Sequence, residues 1–407
     1  MPTLTPLTVR RTAAAPLELA TLPAEAAEGL YVHIPFCFHK CHYCDFYSIT
    51  HQSDDRMGRF VDRLLTEARF WAERHRAAIR PRTIFFGGGT PTLLPIDQMV
   101  RLLTGLRHVF DLSAVDEWTI EANPATVTEE YCAMMRAHGV NRLSFGAQSF
   151  DRAELAALER HHDPADVGRS VAIARAAGFE RLNVDLIYAV PGQSLESWAR
   201  SLDAAIALGT THVSAYALTY EPNTPMAVKK RLGTIVAAEE SLEIAMMRHA
   251  RTRLAAAGLN GYEISNYAAP GQACRHNLMY WTGGNYVALG PSASAHIGGV
   301  RWKNRPHLGE WEAAVDRGEL PAIDVEWLSD DTRAGELAML MLRLDRGIEF
   351  DLFTARTGRD ARTLFADVVD RFAPVGLLEQ TPGTIRLTDA GLNVADALAS
   401  EFLAQGR

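Results

Sequence analysis

The sequence predicts an α/β fold: a parallel sheet with crossover helices, curled into a whole or partial (β/α) barrel, followed by a small helix-and-hairpin module. Three observations carry this expectation. Six short, β-rich apolar runs alternate with stretches of helical periodicity over the first half of the chain. The polar residues of chemical interest fall just after those runs, where a parallel barrel places its chemistry. At 407 residues the chain exceeds one ordinary core, so a large domain plus a smaller one is expected.

The runs are "LYVHIP", "TIFFGGG", "EWTIEANP", "NRLSFGAQ", "RLNVDLIYAVPG" and "THVSAYALTYEP". Helical periodicity marks 54–78, 96–109, 127–138, 166–177 and 195–208 between them, with a further helix over 237–257. Such alternation at this spacing is the pattern of right-handed βαβ units. The pattern dissolves over 261–299, which is aromatic and glycine-rich. From about Leu328 helical stretches resume, with a strand-like "GTIRLT" before a terminal helix over 389–403, which predicts a winged-helix-like module. The resulting divisions are a loosely ordered extension over 1–29, a barrel over 30–260, a linking region over 261–325 and the small α+β module over 326–407.

Composition narrows the function. With 47% apolar and 22% charged residues, the chain reads as a globular protein able to bury a sizeable core. A net charge of -8 argues against a nucleic-acid surface, which would show a clustered basic excess. No run approaches the ~20 apolar residues of a membrane span, and the N-terminal stretch lacks the pattern of a secretory signal. A cytoplasmic protein without direct membrane insertion is expected. Three of its five cysteines lie within eight positions, which suits a metal or cluster site in a reducing compartment rather than a disulfide framework.

Those three are Cys37, Cys41 and Cys44 of "FCFHKCHYCDF", spaced C-x3-C-x2-C, with Phe46 where a fourth might stand. Structural zinc wants four ligands and an iron-sulfur cluster normally four thiolates, so three thiolates leave one metal position open for a ligand. His33, His39 and His42 lie near enough in sequence to complete a Cys3His zinc site instead. In "FFGGGTPTLL", Gly87, Gly88 and Gly89 follow the second run, where a chain without Cβ atoms lets backbone approach a ligand closely. Glu121, Gln148, Arg160 and Asp185 are polar residues near strand ends or loops; each alone is also consistent with a satisfied structural group.

Cysteine motif and glycine triplet together resemble the radical S-adenosylmethionine (SAM) superfamily, in which three thiolates hold a [4Fe-4S] cluster whose fourth iron chelates SAM. The narrower resemblance, over nearly the whole chain from Leu30, is to the oxygen-independent coproporphyrinogen III oxidase group, through "YVHIPFC", "CHYCDF", "FFGGGTPTLL", "IEANP", "RLSFGAQSF" and "NVDLIYAVPGQ". It implies a partial (β/α)6 barrel, with SAM contacts at Tyr31, Tyr43, Gly88, Glu121, Gln148, Arg160 and Asp185. In the true oxidases, the positions of Gly89 and Thr90 contact a second SAM.

The group divides into oxidases, which carry a further cysteine at the position of Phe46, and a heme-chaperone branch, HemW, marked by H-N-x-x-Y-W. This chain has "HNLMYW", His276 to Trp281, and resembles the chaperone branch. That resemblance implies binding of heme, a [4Fe-4S] cluster and SAM, with heme-acceptor proteins as partners, respiratory membrane-associated ones among them; coproporphyrinogen oxidase activity is not expected. Physically, His276 offers an imidazole for axial ligation and Met279, Tyr280 and Trp281 a flat apolar surface, although ordinary core packing uses the same residues. His296 and Tyr286 are secondary ligand candidates, while Cys132 and Cys274 read as buried thiols, "ACRHN" lacking C-x-x-C-H spacing. Three functions remain open: a heme carrier, a radical enzyme decarboxylating coproporphyrinogen III, and an iron-sulfur module with neither activity.

Overall fold

The computed structural model describes residues 17, 21–75 and 77–405. Six strands run parallel and adjacent in chain order: β1 (Gly29–Ile34), β2 (Thr83–Gly88), β3 (Glu117–Ala122), β4 (Arg142–Gln148), β5 (Arg181–Tyr188) and β6 (His212–Ala217). They are connected over the outer face by α1 (Asp54–Arg74), α2 (Ile96–Val109), α3 (Glu129–Ala137), α4 (Arg152–Ala157), α5 (Pro164–Ala176) and α6 (Leu195–Ala207). Strand residues such as Leu30, Val32, Ile84, Phe86, Ile120 and Phe145 are fully buried, as expected where helices cover the sheet.

The sheet stays open. Beyond β6 come α7 (Pro225–Arg231) and α8 (Glu240–Ala256), then two short antiparallel strands, β7 (Asn260–Gly261) and β8 (Asn266–Ala268), of which β8 pairs with β6. After α9 (Arg275–Trp281) the chain crosses to the other side, where β9 (Tyr286–Leu289) pairs in parallel with β1 and leads into antiparallel β10 (Ser294–Ile297), β11 (Val300–Asn304) and β12 (Ala322–Trp327). The edges are therefore β12 and β7. The stretch 261–325, expected to be a linking region, instead supplies strands to both edges. Its short elements were hidden because strands of two to six residues scarcely establish a period.

Helix starts follow local chemistry. Ser53, Thr128 and Ser194 each accept the N–H three residues on, and Asp163 and Asp166 form a reciprocal capping box under Pro164. The buried face of α1 carries Phe60, Val61, Leu64, Ala68 and Trp71 at helical spacing. Each large side chain so buried contributes roughly 1.5–3 kcal/mol of transfer free energy. In place of the single helix expected over 389–403, the chain forms helices at Asp389–Leu392 and Ala395–Gln405.

The small C-terminal module has its own core, built on Met341, Phe353, Phe365, Ile385 and Phe402. A three-stranded sheet of Ile348–Glu349, Thr384–Leu387 and Leu378–Gln380 lies among its helices. Most of the extension expected over 1–29 lies outside the described residues, but its end is packed: Leu22 and Ala27 are buried, and Glu28 pairs with Arg356 of the C-terminal module at 2.8 Å. Because the Asp163 carboxylate caps α5 between β4 and β5, Asp163→Ala should cost about 1 kcal/mol of stability. Urea unfolding of the full chain checks this, and an unchanged midpoint would show that the cap is energetically idle.

Candidate cluster and cofactor site

All three motif cysteines lie on one loop between β1 and α1, and the loop is shaped by its backbone. Cys37 N–H donates to Ile49 O at 2.9 Å and Ile49 N–H to Pro35 O at 2.7 Å, closing the loop at its base. Phe36 anchors it, fully buried and edge-on to Phe60 at 5.1 Å. The cysteines themselves are half-buried, while Phe38 and Phe46 project outward at 76% and 65% exposure. The glycine turn after β2 docks against this loop: Gly89 N–H donates to Ile34 O at 2.9 Å and Thr90 N–H to Phe36 O at 2.7 Å. The Thr90 hydroxyl then stands 3.9 Å from the Cys37 sulfur.

The donor set discriminates between metals. One zinc ion with Zn–S bonds of about 2.3 Å draws thiolates to roughly 3.8 Å apart. Three thiols on one loop leave one position of a four-iron cluster open, and a zinc ion would need a fourth ligand from elsewhere. His33 is unavailable as a fourth zinc ligand, since its Nε2 donates to Tyr47 O (2.8 Å) and its Nδ1 accepts from the Tyr31 hydroxyl (3.2 Å). Burial lowers its pKa to about 4 and keeps it neutral. Burial raises the Cys37 and Cys44 thiols, Cys44 to about 11, so bound metal would have to supply the deprotonation. The Arg160 guanidinium, 3.7 Å from the Cys41 sulfur, places a positive charge where thiolates would gather.

Beside this loop the strand ends form a cradle. A Cβ on Gly87 would come within 2.8 Å of the Glu121 carboxylate, one on Gly89 within 2.6 Å of the Phe36 carbonyl, and one on Gly88 would strike the His33 ring. Gly88 also has φ +101°, a conformation open chiefly to glycine. Glu121 accepts from Gly88 N–H at 3.3 Å. Its pKa is pushed up to about 8 by burial and then by Asp185, whose own carboxyl is raised by burial against hydrogen bonds from Ser144 (3.0 Å) and Asn183 (2.7 Å). Two crowded carboxyls with weakened anions are a setting a cationic ligand relieves. Gln148, after a bulge in β4, sits at φ +65°, a strained conformation for a non-glycine residue, and Arg160 reaches back to the Gly146 carbonyl beside it. Tyr31 and Tyr43 are half-buried, and desolvation raises both hydroxyls.

His276 lies elsewhere. It hydrogen-bonds Thr83, the first residue of β2, at 2.8 Å, about 16 Å along the strand from the glycine turn. Its other ring nitrogen meets the Tyr280 hydroxyl at 2.8 Å, and the ring stacks on Phe85 at 5.4 Å. The side chain is fully buried, and burial, with Arg142 nearby, lowers its pKa to about 3. Glu117 accepts from the N–H groups of Arg275 (3.2 Å) and His276 (3.1 Å), which seats α9. In this conformation the imidazole offers heme iron no free nitrogen, because burial required both to be bonded. His296 Nδ1 faces the Gly284 carbonyl at 3.4 Å and its Nε2 accepts from Gly299 N–H at 3.2 Å, so it too is occupied.

Comparison with known proteins settles the lineage. The Radical SAM superfamily model matches residues 31–205 and the HemN C-terminal domain model residues 328–394. A heme chaperone HemW of Mycobacterium tuberculosis is 36% identical over 397 residues, covering 96% of this chain and 98% of the relative. The chain belongs to the HemW family of the radical SAM superfamily. HemW of Bacillus subtilis is 32% identical over 93% of this chain and all of its own length. The solved structure of coproporphyrinogen III oxidase (HemN) from Escherichia coli, 23% identical, superposes with a TM-score of 0.82 over 94% of this chain and 92% of its own, a likeness of fold.

Sequence reasoning missed the support beneath Asp185. Asn183 lies two residues before it on β5, with Ser144 opposite Asn183 on β4, and Ser214 stands opposite Asp185 on β6. The two-residue period of "NVD" was the available signal for Asn183; the serines needed strand register. Gly88→Val should weaken SAM binding by well over tenfold through clash and backbone strain, measured by calorimetry on cluster-loaded protein, with unchanged affinity removing the turn from the site. Glu121 has a second signature. With a folded pKa near 8 against an ordinary 4.5, the folded chain holds a proton the unfolded chain has released, so ligand-free stability falls as pH rises through that window. Glu121→Gln should flatten this slope in urea midpoints between pH 5.5 and 8; a slope identical to that of the parent chain would place the titration elsewhere.

Proposed function

We propose that this chain is a heme carrier, which binds heme together with a SAM-liganded [4Fe-4S] cluster and passes heme to an acceptor protein. The observation that carries the proposal is the near full-length likeness to proteins named heme chaperones. Cys37, Cys41 and Cys44 would hold the cluster. Tyr31, Tyr43, Gly88, Glu121, Gln148, Arg160 and Asp185 would surround SAM, with Gly89 and Thr90 lining the same turn. When bound, a reduced cluster supplies the electron that cleaves a SAM sulfonium. The protein's own contribution is to bring the glycine backbone close, to oppose ligand cations with Glu121 and Asp185, and to keep the cysteine loop in register through the Gly89 and Thr90 hydrogen bonds.

Heme ligation by His276 requires α9 to leave its seat. The ring would give up its bonds to Thr83 and Tyr280, and the N-terminal turn its bonds to Glu117. Such opening exposes Phe85, Tyr280 and Tyr286, a set of aromatic faces suited to a porphyrin. Acceptors would be heme proteins, membrane-associated respiratory ones included; among the described residues no helix is long and apolar enough to cross a membrane, so such a meeting would be protein-to-protein.

The fold likeness to HemN favours a second reading, radical decarboxylation of coproporphyrinogen III. Phe46 opposes it: an exposed phenyl ring stands where that chemistry uses a thiol.

Replacing any one of Cys37, Cys41 and Cys44 by alanine should abolish cluster assembly, read as iron and sulfide after anaerobic reconstitution; full iron content would refute the ligand set. Anaerobic heme titration of the cluster-loaded chain should show saturable binding that His276→Ala weakens about tenfold or more, with a shifted Soret band. Identical binding and spectrum in both proteins would move the ligand away from α9. Decarboxylation of coproporphyrinogen III with SAM and a reductant would overturn the carrier reading in favour of the enzyme.

A further inference from the structure

Beside the cysteine loop lies a cluster that the proposed chemistry does not use. His39 sits between Cys37 and Cys41 on that loop, and Glu159 and His161 lie on the turn that follows α4. Their ligand atoms all lie within 4.8 Å of one another. His39 Nε2 is 3.9 Å from the Glu159 carboxylate, and the His39 and His161 rings meet edge to face at 4.4 Å between centroids. We propose that His39, Glu159 and His161 form a second metal site, distinct from the three thiolates, for a borderline divalent cation of the zinc and ferrous class.

Ligand chemistry selects that class. Two imidazoles and one carboxylate are the donor set of zinc and of non-heme ferrous sites, and they leave a position for water. Bonds of about 2.0–2.2 Å place neighbouring ligand atoms roughly 3.3–3.5 Å apart in a tetrahedron, so the observed spacing closes with small rotations of half-exposed side chains. His42 is close to Glu159, at 3.6 Å, but its Nδ1 faces the Lys229 ammonium at 2.9 Å, and a cation there keeps a metal away. A second observation is independent of these distances. Glu159 adopts φ +55°, the left-handed region that a non-glycine residue rarely takes, at the turn from which Arg160, between Glu159 and His161, reaches Cys41.

The site joins the two segments that shape the cluster pocket. His39 is flanked by two cysteine ligands, and Arg160, between Glu159 and His161, contacts the Cys41 sulfur. A bound ion would fasten the cysteine loop to the turn carrying Arg160 and slow departure of the cluster; only this consequence rests on the cluster reading, whereas the metal site stands without it.

The test uses the full chain with its cluster loaded anaerobically, equilibrated with zinc ion and then desalted. Zinc per chain is measured by mass spectrometry and its ligands by zinc-edge X-ray absorption. One zinc per chain, ligated by nitrogen and oxygen only and held at least about tenfold more weakly in both Glu159→Gln and His161→Ala, with iron and sulfide unchanged, is the expected result. Sulfur in the zinc shell, no retained zinc, or equal retention in the parent chain and either variant would overturn the site. Both variants alter side chains on a surface turn, and unchanged iron content certifies that the barrel is intact.

Discussion

Parallel pairing of β1 with β2 is the constraint on which the rest of the structure depends. The two strands run in register from Gly29 opposite Thr83 to Ile34 opposite Gly88, and two backbone hydrogen bonds continue the pairing beyond the strand ends, from Gly89 to Ile34 and from Thr90 to Phe36. Those bonds join the cysteine loop to the glycine turn. Because parallel strands direct their C-terminal ends the same way, the polar ends of β3, β4 and β5 arrive at the same rim. Glycine is required at this junction by space, since a side chain on Gly87, Gly88 or Gly89 would collide with Glu121, His33 or the loop backbone.

Electrostatics at that rim is organised by burial. Glu121 and Asp185 act on each other there, and desolvation makes each ionise less easily than in water, while Asn183, Ser144 and Ser214 hold Asp185 in place. Opposite them, Arg160 faces the thiols. A cation on the carboxylate side and an anionic metal-thiolate group on the arginine side would each relieve a cost already present in the protein. The same arginine belongs to a turn whose backbone is forced left-handed at Glu159, so the geometry of the cysteine loop and that of the His39 cluster are mechanically linked.

At the other end of the strands the sheet is plugged rather than open. Helix α9 enters there, its N-terminal N–H groups on Glu117 and its His276 ring between Thr83, Phe85 and Tyr280. The C-terminal module leans on this plug, with Arg343 over the Trp281 ring and Arg356 paired with Glu28 ahead of β1. The two ends thus present different chemistry: a polar rim above and, below, an aromatic plug in which both nitrogens of His276 are bonded. Movement of α9 would have to disturb the module as well.

The sequence by itself determined the parallel α/β core, the six strands and most of their helices, because apolar period is a local property that burial on both faces imposes. It also made the cysteine motif and the glycine turn legible, the latter because lack of space there demands glycine. Only tertiary structure decided that 261–325 strengthens both sheet edges, since strands of two to six residues scarcely carry a period and are stabilised by neighbours far away in sequence. It decided, too, that His276 is sealed behind two hydrogen bonds and that His39 meets Glu159 and His161. Burial and through-space approach arise from packing of distant segments, and no local pattern encodes them.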